Sequence, residues 1–344
     1  MANPLAHTVS FRTLLWFYAV IPFCLLAFLL DYCVLGFTLR DNLPTFPQDH
    51  IIINSVFGLP HILASTAILI GCRDYYQHYK RRLWAACAII LAALLICAQT
   101  LSYSAMFFII AGISAAHLLK QQFGIANMLC RMSGPWYTIW SWSSILAAIL
   151  VYNCMFQHSI FSSNQLVLLE TSILLLLSLH LSITFYWHVR IKQQGAKALL
   201  FLWGNCLLIG IATGLYFADY YFFAALAPRV IHDITAFYIY ITHDKNRLIQ
   251  NRLIQNRLIQ NRKTVPKQVR WVAAWPLGFI IMAYCLLYQL DHSLQWVALE
   301  LFGSDKPIKI ALGLITFLNI FHYYTETFAW GKDSPYRQHV GFSQ

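Results

Sequence analysis

Residues 165–189 read QLVLLETSILLLLSLHLSITFYWHV, 25 residues with one formally charged side chain, Glu170. At 1.5 Å per residue an α-helix of that length runs about 37 Å, enough to cross a hydrocarbon core of ~30 Å. No water reaches such a core, so the backbone must satisfy its own N–H and C=O groups, and a single apolar segment does so as a helix. The rest of the chain repeats this pattern. Of its 344 residues, 59% are hydrophobic and 11% are charged, against roughly 25% charged in a soluble domain.

Apolar runs predict spans at 13–37, 50–71, 83–101, 103–120, 136–156, 165–189, 198–218, 221–243, 271–290 and 308–330. The expected fold is all-α, a polytopic membrane bundle of about ten transmembrane helices. It forms a single membrane domain over 1–344 with a basic cytoplasmic loop at 244–270. Pro228 should kink the helix that contains it.

The formal charge is +11. With ten spans, 20 of the 24 Lys and Arg residues fall on one side, eight of them between Lys245 and Arg270. The positive-inside bias makes that side cytoplasmic, with both termini on it, as in a bacterial inner-membrane protein. The charge is thereby assigned to topology and membrane lipid, not to nucleic acid. Nine cysteines include no Cys-x-x-Cys pair, which argues against a disulfide framework or a zinc knuckle. No motif sets an oligomeric state.

Residues 246–262, NRLIQNRLIQNRLIQNR, repeat with period five. That period matches neither helix nor strand. A recent in-frame duplication in a tolerant cytoplasmic loop accounts for it, with a basic membrane-surface helix as the functional alternative.

The chemistry lies in the histidines. Of thirteen, seven fall in the expected spans: His61, His117, His180, His188, His232, His243 and His322. All seven lie on the even-numbered, inward-running spans. His61, His180 and His322 are expected at similar depth, and His322 with Glu326 forms an i, i+4 pair able to reach one metal. Polar groups inside a membrane are costly and face the bundle interior. Neutral imidazole suits iron, copper and zinc, and an adjoining carboxylate suits non-haem iron. The expected metal ligands are His61, His117, His180, His232, His322 and Glu326. Asp233 and Tyr240 are expected to assist catalysis, and His243 and Tyr238 to orient the ligands. His188 and His243, nearer the interface, are the likeliest to be plain hydrogen-bonding residues.

Gly58-Leu59-Pro60-His61 resembles the Gly-x-Pro-His element of the Brp/Blh-type carotenoid dioxygenases, multi-pass proteins in which histidines hold iron. Segments 117–124, 232–247 and 322–339 resemble His-rich bacterial membrane proteins more generally. The resemblance covers short islands and carries over one position, His61, as an iron ligand. No His-x-x-x-His or His-x-x-His-His box of the membrane desaturases is present. The expectation is a polyhistidine iron oxygenase acting on an apolar small molecule, a lipid or isoprenoid. Zinc or haem are alternative cofactors. A proton- or metal-coupled transporter and a haem membrane protein are the alternative functions.

Overall fold

The apolar runs fold as helices throughout the residues that the computed structural model describes: 6–45, 54–258, 275–285, 307–331 and 333–343. In chain order these are α1 (Phe11–Phe17), α2 (Val20–Leu30), α3 (Thr38–Asn42), α4 (Leu59–Gly71), α5 (Arg73–Thr100) and α6 (Tyr103–Cys130). There follow α7 (Pro135–Gln157), α8 (Ser163–Ile191), α9 (Ala196–Phe217), α10 (Tyr221–Leu258), α11 (Trp275–Cys285) and α12 (Pro307–Ala329). Two-residue strands β1 (Val9–Ser10) and β2 (Phe342–Ser343) pair in parallel.

The chain is an all-α bundle with six helices long and apolar enough to cross a membrane among the described residues. They are Phe11–Leu35, Ser104–Cys130, Pro135–Ile160, Ser163–Gln194, Ala196–Phe217 and Tyr221–Gln250. A seventh arises if the bent pair Ser55–Gly71 and Arg73–Cys97 is one span. The expected count of about ten is therefore corrected to six, or up to seven. Two of the expected spans, 50–71 and 83–101, lie on this one pair, bent by 104° at Cys72, whose backbone is extended. Over 271–290 the described helix is α11, whose 11 residues reach about 16 Å. α12 has 23 residues but interleaves its apolar side chains with Asn319, His322, Thr325, Glu326 and Thr327, and it is not among the six.

These helices are inside out relative to a soluble protein. α8 exposes Leu174, Leu175 and Leu181 and buries His180 and Thr184. That is the arrangement lipid demands, with polar groups turned into protein.

Two compact units divide the chain. The first comprises Met1–Phe11, Ile52–Met106 and Asp233–Gln344; the second comprises Arg12–Ile51 and Phe107–His232. The chain passes from one to the other inside α10, between His232 and Asp233.

In the second unit α8 packs along α7 and α9, and Ser162 caps α8 reciprocally with Gln165. Buried Asp31 lies one turn before the end of the first span. Its carboxylate accepts the Leu39 N–H at 2.7 Å, the Arg40 N–H at 3.1 Å and the Tyr220 hydroxyl at 2.9 Å. These bonds hold a reversal in which Gly36, at φ 59°, takes the left-handed conformation that glycine adopts without cost.

In the first unit α11 packs on α4, and α12 packs on α4 and α5. The lower half of α10 completes it. α10 runs 38 residues, about 57 Å, through Pro228 and on into the repeat. The basic segment expected as a loop from residue 244 thus begins as helix, and its remainder, 259–270, lies outside the described residues.

Candidate metal centre

Pro60 sits in the first turn of α4, where its missing N–H has no helical partner to lose and its fixed φ suits the helix start. His61 follows. Its Nδ1 lies 3.0 Å from Asp233 Oδ1 and 3.3 Å from the Phe57 carbonyl. Both neighbours are acceptors, so Nδ1 carries the proton. The neutral ring then keeps its lone pair on Nε2.

His322, on α12, is held through the same ring nitrogen by a different device. The Ser65 hydroxyl donates its single proton to the Ile62 carbonyl at 3.0 Å. It also lies 2.6 Å from His322 Nδ1, a hydrogen bond that leaves Nε2 as the ring nitrogen directed away from Ser65. The two rings stand edge to face, with centroids 4.9 Å apart. One turn along α12, Glu326 brings a carboxylate oxygen within 4.8 Å of a His322 ring nitrogen. Tyr240 donates its hydroxyl proton to the other side of this arrangement, Glu326 Oε1. His61, Ser65, Asp233, Tyr240, His322 and Glu326 are all buried.

The first unit therefore contains a buried His/Asp/Glu cluster able to coordinate a metal ion. The residue types fit one: imidazole and carboxylate together are the combination found around non-haem iron and in catalytic zinc sites. Asp233 bonds to the far nitrogen of His61, the place from which a carboxylate fixes a ligand's tautomer and raises its basicity.

Of the residues expected from sequence, the first unit brings together His61, His322, Glu326, Asp233 and Tyr240. In the second unit His117 and His232 pair edge to face at 5.1 Å. His180 is not gathered with them. Its Nδ1–H donates to the Trp140 carbonyl at 2.8 Å, and its ring stacks on the Trp140 indole at 5.0 Å. Trp140 in turn donates to Thr184 at 2.8 Å. His180 thus packs between α7 and α8, and among the described residues it belongs to no group of three metal-capable side chains. His188 accepts from Trp203 at 3.0 Å. His243 is bonded at both nitrogens, to Asp244 at 3.0 Å and Tyr75 at 2.8 Å. The Tyr238 hydroxyl accepts the Ser10 N–H at 3.0 Å.

Sequence reasoning missed Ser65, although a signal was present. Ser65 is four residues after His61 and so shares its face of α4. The second unit also has a small, largely apolar cleft lined by Ala115, Leu119, Val151, Ile209 and Pro228 among others.

No protein-family model, no curated protein and no solved structure matches this chain.

Proposed function

We propose that this is a membrane-embedded, iron-dependent oxygenase acting on a lipid or isoprenoid. The observation that carries the reading is the pair of buried imidazoles, His61 and His322, each hydrogen-bonded through Nδ1, beside Glu326. Iron, when bound there, supplies oxygen binding and one-electron chemistry.

The chain's own residues do the rest. Asp233 orients His61, Ser65 orients His322, and the Tyr240 hydroxyl holds the Glu326 carboxylate. Burial of the whole set excludes water from it. The resemblance of Gly58–His61 to the carotenoid dioxygenases supports an isoprenoid substrate. His117 and His232 remain proposed ligands on the sequence argument. The basic residues from Lys245 onward are assigned to the cytoplasmic side.

The test is oxygen uptake by the detergent-purified protein, supplied with ferrous iron and an extracted isoprenoid pool. Iron-dependent uptake that His322→Ala abolishes supports the reading. Protein that holds iron and consumes no oxygen with any apolar substrate refutes it, and a Soret band would assign haem instead.

One observation favours a second reading, a proton- or metal-coupled transporter. The 104° bend between Ser55–Gly71 and Arg73–Cys97 is the kind of broken helix from which transporters build ion sites. Metal uptake into vesicles containing the protein, with no turnover of oxygen, would establish it.

A further inference from the structure

Below the histidine cluster, the first unit contains a second polar assembly built around His243. Tyr336 stacks on the His243 ring at 4.0 Å and 11°, and His339 stands edge-on to it at 5.4 Å. Arg247 follows His243 by one helical turn on α10 and lies on the same face. The two tails converge here. Asn246 accepts the His7 N–H at 2.9 Å and donates to the His7 and His339 carbonyls at 2.8 and 2.9 Å.

His243 spends both ring nitrogens on Tyr75 and Asp244. Three groups around it do not spend theirs. The Tyr336 hydroxyl, the Arg247 Nε–H and His339 Nδ1 are all buried, and none has a hydrogen-bond partner. Tyr336 is 2% exposed. Asp244, three residues before Arg247, makes no ion pair with it among the described residues and takes its hydrogen bond from His243. A buried donor left without a partner costs about as much as a lost hydrogen bond, so three together call for a missing occupant.

We propose that Arg247, Tyr336 and His339 form a binding pocket for a phosphate group. A guanidinium with hydroxyl and imidazole donors is the chemistry that recognises phosphate oxygens. The pocket lies where α10 enters the basic repeat, so the phosphate comes either from an anionic lipid headgroup or from a free phosphate. The site needs no metal in the histidine cluster and is independent of the proposed oxygenase activity.

The test is calorimetric titration of the full-length protein in a phosphate-free neutral detergent. The titrants are inorganic phosphate, short-chain phosphatidylglycerol and, as a zwitterionic control, short-chain phosphatidylcholine. Saturable binding of the first assigns a free phosphate, and binding of the second alone assigns a headgroup. Arg247→Gln should weaken binding at least about tenfold, the loss expected for one charge-assisted hydrogen bond. Tyr336→Phe, which keeps the stack on His243, should also weaken it without altering the fold. If neither phosphate source binds the wild type, or if both variants bind as tightly as it does, ordered water fills the pocket and the proposal fails.

Discussion

Ser65 and His322 are joined by a 2.6 Å hydrogen bond between the serine hydroxyl and Nδ1 of the ring. The bond fixes which nitrogen of His322 faces the candidate metal centre. Ser65→Ala should therefore weaken metal binding by about 10–100-fold, the usual cost of losing a group that orients a ligand. Ser65→Thr should restore it in part. Competition against a chelator of known affinity measures both, and an unchanged affinity in Ser65→Ala would mean the bond does not orient a ligand.

His180 makes the opposite case. Its ring stacks on Trp140 and its Nδ1–H caps the Trp140 carbonyl. His180→Ala should leave metal content unchanged while lowering stability by about 1–3 kcal/mol, the range for a buried packing and hydrogen-bond loss. Thermal unfolding and elemental analysis on the same sample separate the two effects.

The tail junction should loosen in acid. Burial, and then the proximity of His243 and Arg247, lower the His339 pKa to about 4. An unfolded histidine titrates near ~6.5. Between those values the released tail binds a proton that the docked tail refuses, so docking is strongest above about pH 6.5 and weakens as pH falls toward 4. Limited proteolysis of the carboxyl-terminal tail in phosphate-free buffer should accelerate across that window. His339→Gln should flatten the profile.

The repeat supplies a length test. Deleting residues 247–256 removes two units and places Arg257 directly after Asn246, which regenerates the local sequence Asn-Arg-Leu-Ile-Gln. Helix α10 and the Asn246 contacts to His7 and His339 should survive, and membrane insertion should be unaffected. A deletion variant that fails to insert would give the repeat a structural role that its duplication origin does not require.

Hydropathy made the membrane bundle legible and misjudged the number of spans. It registers apolar length but not direction, so the 104° turn at Cys72 was counted as two crossings. The histidine pattern singled out His61, His322 and Glu326, which the first unit brings together, since helical spacing is a property of the sequence. It could not separate them from His180, because the difference is made by Trp140, 40 residues away in the chain. Asp31 and Tyr336 were invisible for the same reason: their roles depend on Tyr220 and His243, partners that no local period connects to them.

Metal content of the wild type and four variants, purified in detergent without chelator, tests the central claim most directly. The wild type should hold about one transition metal ion per chain, most of it iron. His61→Ala and His322→Ala should each lose nearly all of it, while His78→Ala and His158→Ala, at exposed positions, should keep it. A wild type devoid of metal, or full metal in both His61→Ala and His322→Ala, would contradict the metal centre and with it the oxygenase reading.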